Sequence, residues 1–228
     1  MATGLIAIEW VQEYHTRLGN PVNTKANAEG FYNTLNATKK FAHGDDKAQD
    51  KHFEQSGVGA PAAGSDVSKV EKVDMVYFAG HGDSLGFDFG VLQDDARAKA
   101  DEIRWGDGRL KWVVLNACDV LLDNPGFRAI DRWGQTFTGL RYILGFANLT
   151  SDEPDRGRIF AQYLNAGDTI RDAWVKACQD TQPSFTTWAY LRADGNGITT
   201  DQDSWIADAD TRTKPQPPTL FHYVSGAC

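Results

Sequence analysis

Val73-Asp74-Met75-Val76-Tyr77-Phe78-Ala79 is a near-continuous apolar run that ends in Gly80-His81-Gly82. Its β-branched and aromatic residues predict a strand buried on both faces, because a half-exposed strand would alternate apolar with polar. A second run of the same kind, Lys111-Trp112-Val113-Val114-Leu115-Asn116-Ala117, leads directly into Cys118. Outward from these two, Leu5-Ile6-Ala7-Ile8-Glu9-Trp10-Val11 and Arg141-Tyr142-Ile143-Leu144-Gly145-Phe146-Ala147 read as further buried strands. Helical patterns separate them. Asn27 reads as a cap ahead of Ala28-Glu29-Gly30-Phe31-Tyr32-Asn33-Thr34-Leu35, and residues 127–136, 157–165 and 169–180 carry helical periodicity. A small hairpin is expected over residues 85–92, and Thr187-Trp188-Ala189-Tyr190-Leu191-Arg192 follows the last helix. Such alternation predicts an α/β fold: a mostly parallel sheet with helices on both faces.

At 228 residues the chain is long enough to bury a large core without disulfides or structural metals. We read residues 1–228 as one domain, with a loop-rich insertion around 42–70 where Gly, Ala, Asp, Lys and Pro show no sustained period. A net charge of −8 with no basic stripe disfavours nucleic acid as a partner. No apolar run approaches the roughly 18 residues that cross a bilayer, so no membrane association is expected. The cysteines at 118, 178 and 228 have no metal-ligand spacing and are odd in number, which points to a reducing, cytoplasmic setting.

Ligands of open α/β sheets bind beyond the carboxyl ends of the strands, and there the two decisive runs place His81 and Cys118. If those strands are neighbours, an imidazole and a thiol share one rim, which is the arrangement a thiol nucleophile needs. An imidazole nearby is expected to lower the thiol pKa and make Cys118 the most reactive of the three cysteines. Gly82 lets the backbone approach a substrate closely, so its N–H and that of Cys118 are the expected oxyanion donors.

Tyr77-Phe78-Ala79-Gly80-His81-Gly82, followed 36 residues after the glycine by Val114-Leu115-Asn116-Ala117-Cys118, resembles the paired motifs of the caspase-like (clan CD) cysteine peptidases. That superfamily takes in caspases, metacaspases and CHAT-type peptidases. In it a histidine-glycine closes one strand and the nucleophilic cysteine closes the next. The resemblance implies a caspase-like three-layer sandwich and an endopeptidase that acts on peptide or protein substrates through a His81–Cys118 dyad without a cofactor. It leaves room for regulatory calcium. Asn116 stands where metacaspases carry an aspartate that helps to bind basic side chains, and the Gln-Ala-Cys-Arg-Gly string of caspases is absent, so substrate preference does not carry over. The competing reading is a catalytically silent caspase-like binding or signalling module.

Acidic residues crowd the loops after these strands: Asp83 and Asp88, Asp119 and Asp123, and Asp152, Glu153 and Asp155. Together with Asn116, Asp152 and Glu153 are the candidates for a pocket that accepts a basic side chain; against this, an acidic protein simply has acidic loops. Arg156 and Arg158 would equally suit an acidic one. Cys178 shares a helical stripe with Ile170, Ala173, Trp174 and Ala177 and reads as core, whereas Cys228 reads as an exposed, incidental thiol. His43 and His52, beside Asp45, Asp46 and Asp50, match no ligand spacing and read as a solvated loop, so no metal site is expected there. The stretch Asp194-Gly195-Asn196-Gly197, with Asp201 and Asp203, hints at calcium but lacks the EF-hand positions and reads as a turn. Gly57-Val58-Gly59-Ala60-Pro61-Ala62 matches a dinucleotide fingerprint in form only, since no strand precedes it.

Overall fold

The computed structural model describes residues 4–15, 18–58, 64–90, 96–195, 199–209 and 218–228. Through them run β1 (Leu5–Trp10), α1 (Thr24–Thr34), β2 (Thr38–Gly44), four short 3-10 turns, β3 (Met75–Ala79), β4 (Gly82–Asp83), β5 (Gly86–Asp88), β6 (Arg97–Lys99) and β7 (Trp112–Asn116). After these come α2 (Ala129–Trp133), a further 3-10 turn, β8 (Tyr142–Phe146), α3 (Arg156–Ala166), α4 (Ile170–Thr181), β9 (Thr187–Asp194), α5 (Trp205–Asp208) and β10 (Leu220–Ala227).

Seven strands form one sheet in the order β10-β9-β8-β7-β3-β1-β2. β2, β1, β3, β7 and β8 run parallel, while β9 is antiparallel to both of its neighbours. Strands β3, β7 and β8 are buried at every position, as their unbroken apolar composition requires. The pleat divides their side chains between two cores. Met75, Tyr77, Trp112 and Val114 face Phe31, Phe160, Leu164 and Trp174 of α1, α3 and α4. Val76, Phe78, Val113 and Leu115 face Phe53, Phe87, Trp105 and Trp133 on the other side. Full burial of one such aliphatic or aromatic side chain contributes roughly 1.5–3 kcal/mol.

The expectation of helices on both faces is met unequally. One face carries α1, α3 and α4, but the other is covered by the 3-10 turns between β2 and β3, the small antiparallel sheet β4-β5-β6 and the short α2. The insertion around 42–70 is therefore more ordered than its composition suggests. It begins inside β2, and Ala48, Phe53 and Val70 are fully buried under the sheet. The expected hairpin over 85–92 is realised as β5 pairing with β4 and β6, with residues 91–92 outside the described residues. Residues 59–62 of the glycine-rich fingerprint and Asn196-Gly197 of the expected turn also lie outside them.

Asn27 does not cap α1, which begins at Thr24 after Asn23. It is buried within the helix, where its Oδ1 accepts from Tyr77 Oη (2.5 Å) and its Nδ2 donates to the Glu153 carbonyl. At the opposite end of the sheet, Asp74 accepts from Leu5 N (2.7 Å), Lys111 Nζ (2.8 Å) and Arg109 Nη2 (2.9 Å). One buried carboxylate thus fastens the starts of β1, β3 and β7 and fixes the register that the far rim inherits. Among the described residues, no helix is long and apolar enough to cross a membrane.

Candidate active site

Ala79 and Asn116 are register partners across β3 and β7, so His81 and Cys118 each lie two residues beyond the same rung. The chains stay together past the rung, for Gly80 N donates to Asn116 O (3.3 Å). Gly82 then lies directly on Ala117. A Cβ at Gly82 would stand 2.9 Å from Ala117 Cβ and 3.0 Å from both Gly86 O and Val120 Cγ1, which no side chain tolerates without displacement. Gly82 pairs with Phe87 in β4–β5, and Asp88 N donates to His81 O (3.0 Å). That is the pattern of a non-hydrogen-bonded pair, so the Gly82 N–H points away from β5.

His81 is half-buried and held from the β1 side. Its backbone N–H donates to Tyr14 Oη (2.7 Å), and the Tyr14 ring lies against the imidazole with centroids 4.7 Å apart. The imidazole Nε2 is 2.5 Å from Gly19 O. Since a carbonyl only accepts, Nε2 carries the hydrogen and Nδ1 of the neutral ring keeps its lone pair.

Cys118 is half-buried beneath the loop that follows β8. Its Sγ accepts from Thr150 N (3.4 Å) and lies 3.8 Å from Thr150 O. The expectation of a depressed thiol is not met. Burial pushes the Cys118 thiol up, and Asp119 adds to this, while the Thr150 N–H and the Arg156 guanidinium pull it back. Among the described residues, no hydrogen bond joins Cys118 Sγ to His81. Asp119 has a left-handed φ of 57°, a conformation that turns the chain sharply after the cysteine.

Arg156 is fully buried at the start of α3 and donates to three neutral oxygens: Asn116 Oδ1, Ser151 O (3.0 Å) and Thr181 Oγ1 (3.3 Å). Its guanidinium also lies over the Phe146 ring at 4.7 Å. Asn116, expected to face substrate, is instead buried and spent on Arg156. Asp152 is likewise committed, because its Oδ2 accepts from the N–H groups of Val22 (2.7 Å) and Asn23 (2.9 Å) at the entry to α1. Glu153 is tied into the same joint through its carbonyl. Of the other acidic residues, Asp83 pairs with Arg97 and Asp123 with Arg128. Asp155 pairs with Arg158. Burial, and then Asp83, raise the carboxyl of Asp119, which stands next to the thiol.

Residues 8–226 match the family model described as "Domain of unknown function (DUF6345)". The chain belongs to the DUF6345 family. No curated protein matches it. Because the match spans nearly the whole chain, the DUF6345 unit contains the end of β1 from Ile8, Tyr14 at its exit, and the rim formed by β3 and β7.

Two further groups of this DUF6345 chain depart from expectation. Cys228 is not an isolated exposed thiol. It packs against the helical core beside Cys178, whose thiol draws the Cys228 thiol down, while burial pushes the Cys178 thiol well up. His43 and His52 are not a solvated loop. His43 lies on β2, His52 is buried in the Asp50–His52 turn, and both reach Glu9 at the end of β1. Burial raises the Glu9 carboxyl to about 7 and lowers the His52 imidazole to about 4. The acids of the expected turn are engaged in the protein itself: Asp194 with Thr200, Asp201 with Arg171 and Arg192, and Asp203 with Arg141.

These thiol environments set an order of reactivity. Brief, substoichiometric iodoacetamide is expected to label Cys228 first, Cys118 more slowly with a rate still climbing above neutral pH, and Cys178 last, because only thiolate reacts. Mass spectrometry of the digested protein reads the order. Labelling of Cys178 ahead of Cys118 would remove Cys118 as a nucleophile.

Proposed function

We propose that this DUF6345 chain is a cysteine endopeptidase of caspase-like type, acting as one domain on peptide or protein substrates in a reducing compartment such as the cytoplasm. The observation that carries the reading is the close approach of His81-Gly82 to Ala117-Cys118 beyond one rung of adjacent parallel strands. Cys118 Sγ attacks the scissile carbonyl carbon, and its proton passes to His81 Nδ1 as the carbonyl oxygen becomes an oxyanion. The Gly82 and Cys118 N–H groups stabilise that charge. His81 gives the proton to the leaving amine. A water then attacks the thioester, with His81 Nδ1 taking its proton, and the C–S bond breaks to release the carboxylic acid as Cys118 Sγ regains the proton from His81. The raised Cys118 thiol makes the thiol form the resting state, so His81 acts as a general base in the first step instead of holding a ready-made ion pair. Asp83 is taken up by Arg97, so the Asp119 carboxyl beside the thiol is the acidic group that favours a basic residue near the scissile bond.

One observation favours the silent module. Cys118 rests on Thr150 rather than on His81, and its thiol is raised. A peptide-library screen under reducing conditions, with Cys118→Ala as control, separates the two. The peptidase is expected to cleave at sites enriched in Lys or Arg, with cleavage lost in Cys118→Ala. Gly82→Val keeps its N–H, but its Cβ must push Ala117 aside and so misplace both oxyanion donors; kcat should fall by at least the roughly 10²–10³-fold cost of one donor, while Cys118 remains alkylatable. A parent that cleaves nothing in the library, with or without calcium, would favour the module.

A further inference from the structure

Glu9 and His43 are register partners on β1 and β2, and His52 comes over them on the Asp50–His52 turn. Their ligand atoms, Glu9 Oε1 and one ring nitrogen from each histidine, all lie within 4.8 Å of one another. We propose that Glu9, His43 and His52 form a zinc-type divalent cation site that staples the edge of the sheet to the turn packed on it. This site is independent of the His81–Cys118 reading.

Two of the three separations, those to Glu9 Oε1, fit a small cation, while the two ring nitrogens lie within 4.8 Å of each other. His43 Nδ1 is 3.6 Å and His52 Nδ1 2.7 Å from Glu9 Oε1. Zinc bonds of about 2.0–2.2 Å in tetrahedral array put neighbouring ligand atoms roughly 3.3–3.5 Å apart. The first distance is already close to that value, and the second reaches it by opening roughly 0.6 Å, within the compass of a small side-chain rotation. The groups are also oriented for it. Gln49 N donates to Glu9 Oε2 (3.2 Å), which turns Oε1 toward the imidazoles, and the Phe41 ring stacks on His43 at 4.8 Å. His43 Nδ1 is buried and makes no hydrogen bond. Glu9 is fully buried, and a cation would supply the countercharge that a buried carboxylate needs. Lys51 and Lys69 are the nearby ammonium groups and oppose a cation, while Asp50 on the same turn favours one.

Ligand type narrows the metal. Two imidazoles disfavour calcium and magnesium, which take oxygen ligands. A two-His, one-carboxylate iron centre keeps several open positions, whereas here Glu9 is fully buried, the His52 side chain is 6% exposed and the main access is past His43 at 21%. Such narrow access suits a four-coordinate zinc site with one water as the fourth ligand.

The test uses the full chain, stripped with a chelator and titrated with Co²⁺ and then Zn²⁺. Expected are a single equivalent bound, the visible d–d bands of tetrahedral Co²⁺ without a thiolate charge-transfer band, and a melting temperature that rises with Zn²⁺. Glu9→Gln, which keeps the bond from Gln49 N–H, and His43→Ala at the sheet edge should each weaken binding by more than the roughly 10–100-fold lost with an outer-sphere partner. Cys118→Ala should bind as the parent does. A thiolate band, loss of binding in Cys118→Ala, or parental affinity in folded Glu9→Gln and His43→Ala would overturn the site. In the last case Glu9–His52 would be an ordinary buried hydrogen bond. The parent Co²⁺ spectrum decides the matter even if a variant fails to fold.

Discussion

His81→Ala is expected to lose peptide hydrolysis by on the order of 10⁴-fold or more while melting within a few degrees of the parent. On the peptidase reading the activity would fall because Nδ1 is the base that the raised Cys118 thiol requires, and the same nitrogen would later protonate the leaving amine. The fold survives because the imidazole is half-buried, with one side-chain hydrogen bond, to Gly19 O; the backbone bonds at residue 81 use its N–H and carbonyl, which alanine keeps. The measurement is kcat/KM on a peptide that the parent cleaves, beside circular dichroism and thermal melting. Near-parental turnover in a folded His81→Ala would take His81 out of the mechanism.

Gly157→Val is expected to destabilise the chain by about 4 kcal/mol, above the usual 1–3 kcal/mol of overpacking, and to lower Tm by roughly 8–16 °C. The reason is backbone against backbone. A Cβ at Gly157 would stand 2.1 Å from Asn27 O and 3.0 Å from Phe31 Cβ, so α3 must move off α1. That movement breaks the joint of Asn27 with Glu153 and Tyr77 and shifts the loop that brings Thr150 to Cys118. Activity should therefore fall with stability, unlike in His81→Ala. A Gly157→Val protein that melts with the parent would show that the two helices are not in the contact described.

The sequence made the middle of this sheet readable and its edges hard to read, for one physical cause. β3, β7 and β8 are buried on both faces, so composition alone marks them. β2 is mostly exposed, with Lys39 and Lys40 on its surface, and β10 is partly exposed throughout; such edge strands are held by backbone pairing, which any side chain permits. The same divide runs through the candidate site. His81, Gly82 and Cys118 stand out because they end apolar runs. The groups that hold them, Gly19 O and Thr150 N–H, are backbone atoms and leave no trace in composition. Arg156 was visible only as one charge among many, and its full burial is a property of the packed sheet. For the Glu9 cluster one signal was present: a carboxylate inside an otherwise apolar strand, where an ion without a partner is costly.

Asp74 also bears on how the chain reaches this state. It joins Leu5, 69 residues away, to Lys111, 37 residues away, at the starts of the strands that pair on either side of β3. Contacts so distant in sequence incur loop-closure entropy before they return any energy, and parallel strands fold slowly for that reason. Local helices such as α3 and α4 form without them. The rim formed by β3 and β7 is complete only once those distant pairings close, so a collapsed intermediate would hold its helices yet have no assembled dyad. On the peptidase reading, proteolytic capacity would then appear only at the last step of folding, and a nascent or misfolded copy would be harmless to its neighbours.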